Sequence, residues 1–149
     1  MFECSGKRPK GRGKAGSTGP RPEVAACYDH LGGILGEVLL RRHVELGWVQ
    51  AEWQDGRTAN ERITPAGLEG LSAWGVDVGR LAGSGRKPVA VCTERRLGQR
   101  YDHTGALLGA LLRQWLEGRA WIEKYDGGLR LTEAGRVGLV ALGCRVDGS

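Results

Sequence analysis

The sequence predicts an α+β fold, mainly helical, built from two pseudo-symmetric helix–hairpin–helix repeats behind a disordered basic tail. Three observations lead there. YDHLGGILGEVLLRRH at Tyr28–His43 and YDHTGALLGALLRQW at Tyr101–Trp115 share a triplet and glycine positions, seventy-three residues apart. Each is followed by the same succession of a tryptophan, two strand-like stretches and a threonine-led helix. Ahead of both lies SGKRPKGRGKAGSTGPRP, which has almost nothing to bury.

In the first repeat a helix is expected from about Val24 or Asp29 to Leu46. Leu31, Ile34, Leu35, Val38 and Leu39 recur three and four residues apart and form one apolar stripe. Gly47 ends it as a left-handed cap. WVQAEWQ alternates like a strand, DGRTAN reads as a turn and ERIT as the returning strand. TPAGLEGLSAWG is a short helix with Thr64 as N-cap and Pro65 in its first turn. In the second repeat the stripe is Leu107, Leu108, Leu111, Leu112 and Leu116. WIEKY and LRLT form a hairpin around Asp126-Gly127-Gly128, and TEAGRVGLVALG closes the unit behind Thr132. The offset falls to sixty-eight at the threonines, so the second hairpin is five residues shorter. The order helix, hairpin, helix is winged-helix-like. The chain then divides into a tail at 1–22, a first repeat at 23–82, a basic linker at 83–100 and a second repeat at 101–149.

Each glycine within a helix costs roughly 1 kcal/mol relative to alanine. Gly32 and Gly36, with their counterparts Gly105 and Gly109, therefore call for compensation. Close crossing of the two long helices at these glycines supplies it; local loosening of the first turns is the other reading. Asp29 and Asp102 are expected to cap those helices, with Tyr28 and Tyr101 packed on the hairpins. That makes the repeated triplet architecture. The sharper reading is a ligand set: Cys27 and His30, three apart and on one helix face, with Cys92 and His103 brought near by the pseudo-symmetry. Those donors suit zinc or another thiophilic metal, or a redox sensor. Catalysis by a Cys–His pair lacks an oxyanion element and an orienting third group. His43 reads as a solvated residue on a polar helix face.

The net charge of +5 resides in the tail, where Lys7, Arg8, Lys10, Arg12, Lys14 and Arg21 face one acid, Glu3. The remaining 127 residues hold sixteen bases and sixteen acids. A second basic stretch comprises Arg86, Lys87, Arg95, Arg96 and Arg100. Both stretches point to phosphate contacts, which position a protein on DNA without reading bases. No apolar run of about 18 residues exists, and the N-terminus has no apolar signal core. A soluble, cytoplasmic protein without a membrane partner is expected. Its four widely spaced cysteines are read as thiols rather than a disulfide frame.

AACYDHLGGILG, ITPAGLEGLSAWGVD, CTERR, DHTGALLGALL, Trp121 and LRLTEAGRVGL together resemble the C-terminal half of certain ArsR-type winged-helix transcriptional regulators, over roughly Glu23 to Gly143. The resemblance implies that Cys27, His30 and His103 occupy motif positions. Cys92 stands beside Thr93-Glu94-Arg95-Arg96 where that family has a tryptophan, its own cysteine coming slightly earlier. The short basic tail replaces the family's DNA-binding winged helix. The expected function is a regulator of transcription of ArsR-like type, or its effector and assembly region, binding DNA and forming a homodimer. The alternative is a ligand- or metal-sensing or dimerisation module without DNA affinity; an enzyme is not expected.

Overall fold

The computed structural model describes residues 2–3, 21–54 and 56–146. A two-residue strand β1 (Phe2–Glu3) comes first. The first repeat contains β2 (Ala25–Cys27), β3 (His30–Gly32), α1 (Gly33–Glu45), β4 (Val49–Gln54), β5 (Arg57–Ile63) and α2 (Pro65–Trp74). After a 3₁₀ turn at Val78–Leu81 the order recurs as β6 (Ala90–Arg96), β7 (Gln99–Gly105), α3 (Ala106–Gly118), β8 (Ile122–Tyr125), β9 (Gly128–Leu131) and α4 (Glu133–Ala141). Successive strands pair antiparallel as β2–β3, β4–β5, β6–β7 and β8–β9, and β1 adds in parallel beside Cys92 and Thr93 of β6. Helix accounts for 39% and strand for 33%, so the fold is α+β with four two-stranded ribbons and not the mainly helical, winged-helix-like pair expected.

The excess strand comes from where the helices begin. Tyr28 and Gly33 both adopt positive φ, 61° and 75°, which interrupts a right-handed helix. Cys27–Gly32 therefore folds as a tight hairpin, and α1 starts only at Gly33. The stretch expected to be a basic linker holds β6 and the start of β7. Likewise RTAN belongs to β5 rather than to a turn. Neither aspartate caps a helix: the N-caps are Gly32 and Gly105, with no side-chain cap bond. The segments leading into β2 and β6 supply the acceptors instead. Ile34 and Leu35 donate to the carbonyls of Pro22 and Glu23, and Leu107 and Leu108 to those of Lys87 and Pro88. These bonds satisfy first-turn N–H groups that a helix cannot satisfy internally. Tyr28, expected on a hairpin, is exposed. Thr64 and Thr132 do cap α2 and α4, accepting from Gly67 and Gly135 at 3.0 Å each.

One core serves both repeats. Leu35 and Leu39 of α1, Leu71 of α2, Leu108, Leu111 and Leu116 of α3, and Leu139 of α4 are buried in a single cluster. Burying each such side chain stabilises the fold by about 1.5–3 kcal/mol. The repeats also clasp each other's helix ends. Arg42 Nε donates to the Leu142 carbonyl at 3.3 Å, and Trp115 Nε1 donates to the Trp74 carbonyl at 3.0 Å. Donors and acceptors stand at the repeat offsets of seventy-three and sixty-eight, the signature of a pseudo-two-fold axis.

His43 is not solvated. It occupies the position of Leu116 in the other repeat, is fully buried, and lies 5.6 Å from the Trp48 ring and 5.0 Å from that of Trp74. Neither ring nitrogen has a hydrogen-bond partner. Burial lowers its pKa to about 4, with a further push from Arg42.

Candidate metal centre

The two short ribbons at the start of each repeat carry the same pair of side chains. Cys27 pairs across the β2–β3 ladder with His30, and Cys92 across the β6–β7 ladder with His103. The pairs are repeat equivalents, although no single offset relates them. VAAC at Val24–Cys27 matches VAVC at Val89–Cys92 sixty-five residues on, whereas the histidines stand seventy-three apart. The eight extra residues lengthen the second ribbon, whose turn is at Leu97-Gly98. Cys27 and His30 thus meet across a ribbon rather than on a helix face.

All four side chains are buried, between 0% and 3% exposed, and their ligand atoms lie within 4.8 Å of one another. The imidazole centroids of His30 and His103 are 5.3 Å apart. Cys27 and Cys92 are joined as a disulfide, contrary to the reading of both as thiols. Strands β3 and β7 pack against each other, which brings the two ribbons together and makes that bond possible. Cys144 is a free, buried thiol, raised to about 11 by burial, and takes no part in the cluster.

The glycines of the long helices serve this cluster. A Cβ on Gly36 would meet the Leu31 carbonyl at 2.5 Å and His103 Cβ at 3.0 Å. One on Gly109 would meet the Thr104 carbonyl at 2.6 Å and His30 Cβ at 2.8 Å. Each helix thus seats the histidine of the opposite repeat in its glycine notch. Gly32 and Gly105 lie at strand ends, outside the helices where they were expected.

The surroundings favour a neutral, oriented imidazole at His30. Burial lowers the pKa of His30, opposed by Asp29 and reinforced by Arg86 and Arg113. Asp29 Oδ1 lies 3.1 Å from His30 Nδ1, and its Oδ2 accepts from Arg86 at 2.9 Å. Burial works to raise the Asp29 carboxyl, but the bonds to His30 and Arg86 outweigh it and hold it below the usual range. A carboxylate on Nδ1 directs Nε2 toward a metal, the usual outer-shell arrangement of metal-binding histidines. A cleft of about 320 Å³ beside Tyr28 and Arg86 reaches His30.

Two sulfurs and two imidazoles match the closed, tetrahedral donor set of structural zinc sites. In such a site the donor atoms stand about 3.3–3.8 Å apart, so the cluster is already close to the required size. The four residues can hold a metal ion once the disulfide is reduced.

The basic residues are less concentrated than the sequence implies. Arg86 pairs with Asp29, Lys87 with Glu61 at 3.1 Å, and Arg100 with Asp102 at 2.9 Å. Arg95 is exposed and Arg96 half-buried. Lys7, Arg8, Lys10, Arg12 and Lys14 lie outside the described residues. Among the described residues no helix is long and apolar enough to cross a membrane. No protein-family model, curated protein or solved structure matches the chain.

Proposed function

We propose that the chain is the metal-sensing and assembly region of a transcriptional regulator of ArsR-like type, binding a thiophilic ion such as zinc between its repeats. One observation carries the reading: four buried ligand atoms, two from each repeat, within 4.8 Å. A closed four-ligand site has no open coordination position for a substrate, which favours a structural or sensing role over catalysis. A bound ion would tie the β2–β3 ribbon to the β6–β7 ribbon. The Cys27–Cys92 disulfide is the competing state, because oxidised sulfurs are no longer thiolate ligands. A reducing cytoplasm would keep the site available to metal.

Contact with DNA falls, in this reading, to the tail from Lys7 to Lys14 and to the exposed Arg95, since Arg86, Lys87 and Arg100 are engaged by acids. Such contacts are to phosphates and weaken steeply with salt. The rival is a sensing or homodimerisation module with no affinity for DNA.

The test is titration of the reduced protein with cobalt(II), followed by its absorption bands. Tetrahedral thiolate–cobalt bands saturating at one ion per chain, and lost in Cys92→Ala and His103→Ala, support the site. Reduced wild-type protein that takes up no cobalt refutes it. Anisotropy of labelled duplex DNA, with the whole chain and with residues 23–149 at two salt concentrations, then decides the DNA question. Binding that disappears with the tail, or never appears, leaves the folded part a sensing module.

A further inference from the structure

The carboxylate on His30 has no sequence equivalent that serves His103. Asp102, the repeat counterpart of Asp29, is engaged elsewhere: it accepts from Thr93 Oγ1 and from Arg100 Nε, both at 2.9 Å. Another acid approaches His103 instead. Glu94 lies two residues beyond Cys92 on β6 and so shares the ribbon face that presents Cys92 and His103. Its Oε1 is buried and has no hydrogen-bond partner. A Cβ built on Gly32 would lie 3.5 Å from that oxygen, 3.5 Å from His103 Nδ1 and 3.2 Å from His103 Cε1. The carboxylate oxygen and the imidazole nitrogen thus converge on the same bare glycine, two residues along β3 from His30.

A buried carboxylate oxygen without a donor is costly, and native structures rarely keep one without a reason. The nearby His103 imidazole offers one. Resting on the metal-site reading above, we infer that Glu94 is the positioning residue for His103, accepting its Nδ1–H when the site is loaded and leaving Nε2 for the ion. Each half-site then has a carboxylate behind its histidine: Asp29 from the turn of the short ribbon, Glu94 from the strand of the long one. The eight-residue difference between the ribbons accounts for the change of position. The long ribbon carries residue 102 onto the opposite face, toward Thr93 and Arg100, and its turn no longer lies beside the cluster. The absence of a side chain at Gly32 leaves the space in which the pair can form.

Arg21 is the competing partner. Its guanidinium lies 3.7 Å over the ring of Tyr101, which pairs across the ribbon with Glu94, and its Nε and Nη2 also lack acceptors. A merely structural role for Glu94 would run through that arginine.

The experiment compares reduced wild-type protein with Glu94→Gln, Glu94→Ala and Arg21→Gln. Cobalt(II) affinity is measured against a competing chelator, and ¹⁵N spectra of the zinc-loaded proteins report the histidine tautomers. The Glu94 variants are expected to lose roughly 10- to 100-fold in cobalt affinity. Their thiolate–cobalt bands and metal-free melting should remain. In the wild type, His103 should be protonated at Nδ1 and bound through Nε2. Unchanged affinity in Glu94→Gln, metal on His103 Nδ1, or an equal loss in Arg21→Gln overturns the assignment. If wild-type protein takes up no cobalt, the metal-site reading itself fails and this inference falls with it.

Discussion

His43 gives the fold a measurable acid sensitivity. Its imidazole is fully buried against Trp48 and Trp74, both nitrogens are unpartnered, and its pKa falls from 6.5 to about 4. Above pH 6.5 the ring is neutral in both folded and unfolded chains and adds no pH dependence. As pH falls below 6.5 the unfolded chain takes up a proton that the folded chain refuses, so stability drops until about pH 4 and then levels. Linkage over that window gives a loss of about 2.5 kcal/mol between pH 7.5 and 4.5. His43→Leu installs the residue found at the equivalent position, Leu116, and should abolish this component. At neutral pH it removes two unsatisfied buried nitrogens, each costing about 1–3 kcal/mol, and forfeits ring stacking of about 0.5–1.5 kcal/mol. The variant should therefore be equal to or more stable than wild type at pH 7.5. Urea unfolding followed by far-UV circular dichroism, with the disulfide intact and chelator present, measures both quantities. A wild-type and His43→Leu difference that stays constant from pH 7.5 to 4.5 refutes the reasoning, because other groups would then carry the slope.

The remaining expectations concern the glycine notches, the caps and the metal. Gly36→Ala and Gly109→Ala force a methyl against backbone and against the opposite histidine, and each should cost about 1–3 kcal/mol in urea and weaken cobalt binding. An unchanged cobalt affinity would show that the notches do not seat the ligands. Thr64→Ala and Thr132→Ala each remove a cap bond to the backbone of the short helix, and each should cost about 1 kcal/mol by the same assay. Free zinc a hundredfold above its dissociation constant should stabilise the reduced protein by about 2.7 kcal/mol. That corresponds to a rise of roughly 5–10 °C in melting temperature. Cys92→Ala should show no rise, and neither should the oxidised protein.

The sequence makes the tandem repeat, the threonine caps and the four ligands visible, because each rests on local chemistry at matched spacing. The ribbons are harder to see. The apolar stripe of α1 extends back through Leu31, so periodicity alone carries the helix past its true start at Gly33. Only positive φ at Tyr28 and Gly33, which periodicity does not register, stops it. The second ribbon is masked by the register of the YDH triplets, which sets Cys27 opposite Arg100. The short match of VAAC with VAVC is the signal for it, since it sets the cysteines in register sixty-five residues apart. His43 reads as solvated because its neighbours Arg41, Arg42 and Glu45 are charged. Its burial depends on Trp48 and Trp74 folding over it from beyond the helix. Glu94 carries no sequence signal of its own; only an unpartnered oxygen in three dimensions draws attention to it.

A site to which two repeats each give one cysteine and one histidine has the form of an axial site in a symmetric dimer, with the symmetry folded into one chain. Either repeat alone holds only half of the ligands, and the glycine notch for each histidine lies in the other repeat. The shared core and the crossed bonds of Arg42 and Trp115 extend that dependence beyond the metal. A fragment of residues 83–149 should therefore either pair with itself or remain unfolded. If it pairs, Cys92 and His103 from two copies should bind one metal ion per two chains. If it remains unfolded, mixing it with residues 21–82 under reducing conditions should restore folding and one metal ion per mixed pair. Sedimentation velocity with metal analysis reads the stoichiometry directly. One ion held per isolated fragment, with the fragment monomeric, would mean that half of the ligands suffice and that the centre is not built across the repeats.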